Sequence, residues 1–371
     1  MKRKVGIVTW MGYHNFGTSL QAFALAQVVG KLGYSPVMVD DAPLIRKYYA
    51  SVYPVNPLKK GLSLLLKPIL ATRADRIYGK FRDDSTRMFD TFRADRFDIV
   101  PDTDGLDICI AGSDQIWSTG FPPVDWYLRH YFLADFSGVK IAYAPSLGMP
   151  EEKETEYAAH VGDWLRSFKV LSAREPEGAR ILSDISGADV PVLLDPTLLL
   201  NREEWIRALG LKSTGAAPYC LLYLLTYDRR IVDEARAYAL RKGQRLVAIA
   251  NHPELIADGI EPLSAGPQEF LEALFNSSSF VTDSFHGVIF ASVFDKPFAV
   301  YRRFADRENF HQNNRVAGFL NITGSDKELL QPGATLDDRT VTTAGDLLHT
   351  PLAAKIAKSL EYLSNNLKQQ P

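Results

Sequence analysis

The stretch TDSFHGVIFASVF, residues 282–294, sets Thr282, Asp283, Ser284 and His286 between an apolar run and a small-residue segment of helical spacing. Imidazole titrates near neutral pH, so His286 is the residue type that can deliver or accept a proton in a reaction at pH 7. Read as strand, turn and helix, the stretch puts His286 at a helix mouth, where backbone N–H groups and the positive end of the dipole favour an anion. Asp283 or Ser284 supplies the cap there, and Gly287 lets the backbone come close to a ligand. A buried, hydrogen-bonded histidine at a strand–helix junction is the bland alternative.

Three other stretches have related grammar. In CIAGSDQIWSTG, residues 109–120, an apolar strand ends in Gly112, Ser113, Asp114 and Gln115, which aims a carboxylate off a strand's carboxyl end. A turn-forming Asp that caps backbone N–H groups has the same signature. In VLSAREPEGARIL, residues 170–182, Arg174 follows a strand and precedes a helix that Pro176 can begin. Its fork suits carboxylate or phosphate, and surface pairing with Glu175 is the ordinary explanation. In AVYRRFADRENFHQNNR, residues 299–315, a strand leads into Arg302, Arg303, Arg307, His311 and Arg315, a cationic run close in sequence to His286.

The elements that must position these residues alternate between strand and helix. KVGIVTW reads as a strand, TSLQAFALAQVVGKLG as a helix capped at Thr18 or Ser19 and stopped at Gly33, and SPVMVD as a second strand, which together make a βαβ unit. LDICIAG, KIAYAPS, VLSARE and VPVLLDPTLLL continue as strands. After the Asp-Pro at 195–196 a second set begins, with YCLLYLL, QRLVAIA and SFVTD as strands and RRIVDEARAYALRKG and GPQEFLEALFNSS as helices. The expected architecture is α/β, with two Rossmann-like domains of parallel sheet facing across a cleft, over residues 1–196 and 197–371.

Residues 42–100 interrupt the first set as a basic helical insertion. From Lys59 to Arg93 it holds nine Lys/Arg against four Asp/Glu. A solvated insertion with a Leu stripe on the sheet is the plain reading, and contact with an anionic membrane surface is the sharper one.

Composition narrows the classes. A chain of 371 residues, 46% hydrophobic and 23% charged, is long enough for two cores. A net charge of -2 lacks the basic excess of a nucleic-acid binder. Cys109 and Cys220 sit inside apolar strands and read as small buried hydrophobes, which suits a reducing compartment. With no apolar run of about 20 residues the chain reads as cytoplasmic. There is no zinc spacing, no Walker loop, no G-x-G-x-x-G and no G-x-S-x-G, and no metal is called for.

Taken together, NFGTSLQAFALAQVVGKLGY from Asn15, AGSDQIW, LSAREPEGARIL, DPTLLL and VTDSFHG with the following DKPF resemble the polysaccharide pyruvyl transferase family. The resemblance touches most of the chain and implies a fold similar to GT-B glycosyltransferases. It also implies transfer of the enolpyruvyl-derived group of phosphoenolpyruvate to two hydroxyls of a sugar, with no cofactor, to make a cyclic pyruvate ketal on a bacterial surface polysaccharide or its lipid-linked precursor.

On this likeness His286 stands in the place of the catalytic histidine. Arg174 stands in that of an arginine reaching the donor, and Asp114 falls where the family has an active-site carboxylate. Asn15, Ser113, Gln115, Ser284 and Gly287 are the accompanying substrate-binding candidates. Better-studied members carry an arginine two residues before the histidine, where this chain has Ser284, and Arg302 or Arg303 is the expected substitute. Two other readings remain: a GT-B-type glycosyltransferase using a nucleotide-sugar, and a non-catalytic carbohydrate-binding protein of the same fold.

Overall fold

The computed structural model describes residues 2–52, 72–118, 125–147, 154–303, 310–323, 328–344 and 351–368. The chain forms two compact units, one of Met1–Pro54, Arg93–Leu200 and Ala354–Pro371, the other of Val55–Phe92 and Asn201–Ala353.

The first unit begins with β1 (Lys4–Val8), α1 (Phe16–Lys31), β2 (Ser35–Val39) and α2 (Ala42–Val52). The helix α3 (Arg73–Arg96) crosses from the second unit, and β3 (Ile99–Val100), β4 (Ile108–Ala111), α4 (Asp125–Tyr131), β5 (Val139–Ala142), α5 (Glu154–Arg166) and α6 (Pro176–Ser186) follow. All strand pairs are parallel, in the order β3-β2-β1-β4-β5. The apolar run Ile108–Ala111 is buried at every residue, as a central parallel strand covered on both faces requires. The order reverses direction between β1 and β4, and the crevice beyond their carboxyl ends is where such sheets accept ligands.

The second unit repeats the plan. After α7 (Arg202–Leu209) come β6 (Tyr219–Tyr223), α8 (Arg229–Arg241), β7 (Arg245–Ile249), α9 (Pro253–Ala257), β8 (Glu261–Leu263), α10 (Pro267–Asn276), β9 (Ser279–Thr282), α11 (Phe285–Val293), β10 (Phe298–Val300) and α12 (Phe310–Ile322). The parallel order β10-β9-β6-β7-β8 is the first sheet's order again, with its reversal between β6 and β9. The expected pair of Rossmann-like α/β domains is what forms, and Cys109 and Cys220 lie buried as free thiols.

Several local expectations change. The units do not part at one break near residue 197. The last helix, α13 (Leu352–Lys368), belongs to the first unit, where the Tyr362 hydroxyl donates to the Ala142 carbonyl at 2.9 Å and the Leu194 N–H donates to Ser359 Oγ at 3.1 Å.

The cap of α1 is Asn15, whose side chain accepts from the Thr18 N–H, because the Thr18 hydroxyl is engaged elsewhere. VLSARE and VPVLLDPTLLL make only isolated bridges, Ile141 with Val170 and Ala173 with Val192, since Pro191 and Pro196 remove ladder donors. Asp195 instead caps a 3-10 turn over Pro196–Leu199. The Lys59 end of the basic insertion lies outside the described residues. Of its described part, α2 and β3 stay with the first unit as expected, but α3 up to Phe92 belongs to the second, where the Ala265 N–H donates to Ser85 Oγ at 3.1 Å and the Tyr78 hydroxyl donates to the Asn251 carbonyl at 3.2 Å.

Candidate active site

At the reversal point of the first sheet the chain leaves β4 through Gly112. Its φ is +129°, and a Cβ there would stand 2.0 Å from the Tyr143 carbonyl oxygen, so only glycine fits. Asp114 follows, 5% exposed. One of its oxygens accepts from the Thr18 hydroxyl at 2.7 Å and the other from the Gln115 N–H at 2.9 Å.

Ser113 is fully buried: its hydroxyl donates to the Ala144 carbonyl at 2.9 Å, and its carbonyl accepts from the Thr9 hydroxyl at 2.8 Å. Asn15 is spent on the cap of α1. The motif therefore ties β1, β4 and the start of α1 into one knot of satisfied polar groups.

Arg174 joins this edge from the loop before α6, where Pro176 opens the helix as its sequence position requires. The guanidinium is buried and donates to Asp195 at 2.8 Å and to Glu175 at 3.0 Å. Glu175 also accepts from the Ser146 hydroxyl at 2.8 Å. Burial alone would lower the Arg174 pKa, but the fields of Glu175, Asp195 and Asp114 outweigh it and raise it above its ordinary value. One guanidinium thus faces three carboxylates. The pairing with Glu175 anticipated as the ordinary explanation is present, and Asp195 adds a second, more deeply buried one.

The second sheet's reversal point carries His286. Ser284 is the N-cap of α11, its hydroxyl accepting from the Gly287 N–H at 3.2 Å. That N–H therefore closes the cap, and the Gly287 residue type has a packing cause, since a Cβ would meet Thr282 Oγ1 at 3.0 Å and the Phe280 ring at 3.1 Å. His286 is half-buried in the first turn of α11, its ring edge-on to Phe285 with 5.2 Å between centroids.

Asp283 does not cap the helix. Its oxygens accept from the consecutive N–H groups of Leu225 at 2.6 Å and Thr226 at 3.0 Å, which pins the loop after β6. Burial raises the Asp283 pKa, while those N–H groups and Arg303 pull it back.

Arg303 donates through Nε to the Thr226 hydroxyl at 3.1 Å, so it belongs to the same edge as His286 and Ser284. Arg302 is exposed, and its N–H donates to the Leu330 carbonyl at 2.8 Å. Of the two proposed substitutes, Arg303 is the one joined to the loop that Asp283 pins. Arg315 lies over the Phe285 ring at 5.4 Å, while Arg307 and the His311 side chain fall outside the described residues.

The sequence reading missed Asp41, which follows β2 with 0% exposure. It accepts from the Met11 N–H at 3.1 Å, the Gly12 N–H at 2.9 Å and the Tyr131 hydroxyl at 3.0 Å. Burial pushes its pKa up to about 7 against these donors. An Asp closing a strand in VMVDD was its only signal. Each sheet therefore uses one buried carboxylate to hold two successive N–H groups of the loop after its central strand.

A family model described as polysaccharide pyruvyl transferase matches residues 15–303. No curated protein matches the chain. Among solved structures, S. aureus MnaA with UDP is similar at 13% identity, covering 100% of this chain and 99% of that one with a TM-score of 0.45. UDP-GlcNAc 2-epimerase from Neisseria meningitidis bound to UDP-GlcNAc is similar at 10% identity, with 100% of both chains covered and a TM-score of 0.48. UDP-GlcNAc 2-epimerase from Methanocaldococcus jannaschii matches at 11% identity over 98% of this chain and 100% of that one, with a TM-score of 0.48. The family model spans both reversal points, from the Asn15 cap to Arg303, and the chain belongs to the polysaccharide pyruvyl transferase family.

Proposed function

We propose that this protein is a ketal-forming pyruvyl transferase that uses phosphoenolpyruvate as donor and a sugar of a bacterial surface polysaccharide, or its lipid-linked precursor, as acceptor. The observation that carries the reading is the placement of His286 in the first turn of α11 beyond the carboxyl end of β9, on an edge shared with Arg303, in a chain of this family. The donor carries a phosphate and a carboxylate, and an edge with a guanidinium and a helix start is electrostatically suited to both.

His286 acts as the acid. It gives a proton to the methylene carbon of phosphoenolpyruvate, which leaves an oxocarbenium-like centre at the adjacent carbon. A sugar hydroxyl attacks that carbon and loses its proton. A second hydroxyl then closes the ring and phosphate departs, so one hydroxyl proton replaces the one His286 gave and the other leaves with phosphate. Arg303 and the start of α11 hold the donor's anionic groups and stabilise the departing phosphate. Asp114, with both oxygens already accepting hydrogen bonds, and Arg174, which holds Asp195 and Glu175, act in this reading as frame residues of the first unit.

Among the described residues no helix is long and apolar enough to cross a membrane. Contact with a lipid-linked acceptor is assigned to the basic insertion, whose sequence between Lys59 and Arg93 supports attraction to anionic lipid. Mass spectrometry of an oligosaccharide and sugar-lipid panel incubated with phosphoenolpyruvate tests the function. One ketal's gain in mass with release of phosphate is expected, and release of a nucleotide from a sugar nucleotide in its place would move the protein to glycosyl transfer.

A further inference from the structure

Beside the Asp114 knot, the first unit carries a group of aromatic rings that the mechanism does not use. Tyr13 comes from the loop after β1, Tyr48 and Tyr49 from α2, and Trp126 and Tyr127 from α4. The Tyr48 and Tyr127 rings are 4.3 Å apart, Tyr13 meets Tyr49 at 6.0 Å, and Tyr48 meets Trp126 at 6.5 Å. Tyr48 and Tyr127 are buried and form the floor. Tyr49 is 44% exposed, and the half-buried Tyr13 and Trp126 join it, Tyr13 directly and Trp126 through Tyr48, which meets both Tyr49 at 6.0 Å and Trp126.

The group is built rather than incidental. The Tyr13 and Tyr127 hydroxyls are hydrogen-bonded at 3.0 Å, and Asp41 underneath fixes the loop through the N–H groups of Met11 and Gly12. Lys47 lies over the Trp126 ring at 4.2 Å. The same loop runs on to Asn15 and so to Thr18, which donates to Asp114. The rings are therefore continuous with the carboxyl edge of β1 and β4.

An exposed face of Leu or Val would suit another apolar surface. This one is made of tyrosine and tryptophan, which present a flat apolar ring and a polar tip in one side chain. A pyranose has that same mixture, with C–H groups on its faces and hydroxyls around its edge. We propose that Tyr13, Tyr49 and Trp126 form a saccharide-binding platform, taking a pyranose ring of the acceptor against Tyr49 and Trp126 with its hydroxyls toward Tyr13 and Lys47. This rests on the reading of the protein as a sugar-modifying transferase.

The test is a glycan array of bacterial surface oligosaccharides probed with the full chain without phosphoenolpyruvate, followed by saturation-transfer NMR on the glycans that bind. Tyr49→Ala and Trp126→Ala should each weaken glycan binding by about tenfold, the size expected for loss of one aromatic contact. Phosphoenolpyruvate binding should stay at the parent's value in both, and the thermal midpoint in the exposed Tyr49→Ala, while Trp126→Ala, which also removes packing on Tyr48, should melt lower. Binding to no glycan, or binding that both variants retain in full, overturns the platform. So does a change of molecular mass by light scattering in Tyr49→Ala, which would make the patch an interface between copies. Phosphoenolpyruvate binding is read separately, so a platform that binds glycan in a protein that ignores phosphoenolpyruvate would sink the donor assignment and leave the platform standing.

Discussion

Asp114 and His286 occupy equivalent places. Each follows the fourth strand, in chain order, of a sheet with the same strand order, and each stands where that order reverses. Their surroundings differ in sign and in wetness. Around Asp114 the residues are buried: Ser113 is 0% exposed, Asp195 2% and Arg174 8%, and three carboxylates outnumber the one guanidinium. His286 itself is half-buried, next to the buried Asp283 and Ser284, and Arg303, joined to the loop that Asp283 pins, and Arg315, over the Phe285 ring, set two guanidiniums against the Asp283 carboxylate. An anionic donor brought to the first edge would meet like charge in a site of low dielectric. At the second it meets a guanidinium and a helix start. In the proposed function the same topology thus serves two tasks, a rigid frame in one unit and an anion site in the other.

The strongest way to break this contrast is His286→Asn. If the second edge does the proton chemistry, turnover should fall by about 10²–10⁴-fold, the usual contribution of a general acid, with the fold intact by circular dichroism. Turnover at the parent's rate would remove His286 from the chemistry.

Arg174→Met probes the other side. It leaves Asp195 and Glu175 without their shared cation, so the first unit should lose about 3–5 kcal/mol of stability, read from the denaturant midpoint. A frame residue shows this loss, whereas a residue whose partner is the donor would lose affinity for it and keep the midpoint.

The buried groups of the first unit also predict its pH response. Asp41 titrates at about 7 in the folded chain against an ordinary 3.8, so the native state holds a proton that the unfolded chain has released. Its contribution is present below about pH 4 and is lost as pH rises toward 7. His130, pushed by burial down to about 4 from 6.5, works in the opposite sense, adding stability as pH rises over the same range. The two oppose each other between pH 4 and 6.5. Asp41→Asn should therefore uncover a rise on the order of 2 kcal/mol over that interval, measured by denaturant titration at several pH values. A variant whose stability stays flat with pH would show that Asp41 is not the opposing group.

Much of this frame is legible in the chain itself, and the exceptions have physical causes. The strands KVGIV, ICIA and SFVT read from continuous apolar runs bounded by polar turns, because central parallel strands are covered on both faces. The short β8, EPL, has no such run, and its Pro262 argues against a strand at all. The return of α13 to the first unit cannot be read from local pattern, since a helix's amphipathic face does not say which sheet it covers.

At the site, the turn grammar located Asp114 and His286 correctly beyond their strands. Side-chain partners were harder. Thr18 looks like a cap in sequence and is instead a donor to Asp114, while Asp195 looks like punctuation before a proline and is the buried partner of Arg174. Both depend on contacts between residues 21 to 96 positions apart, which spacing along the chain does not encode.

Calorimetric titration of phosphoenolpyruvate into the parent, Arg303→Ala, Arg302→Ala and Arg174→Lys tests most directly whether the second edge is the anion site. The account predicts that Arg303→Ala weakens binding by about 1.5–3 kcal/mol, the range for a charged hydrogen bond, with Arg302→Ala losing less and Arg174→Lys binding as the parent does. Parent-like binding by Arg303→Ala together with lost binding in Arg174→Lys would place the donor on the first unit and contradict it.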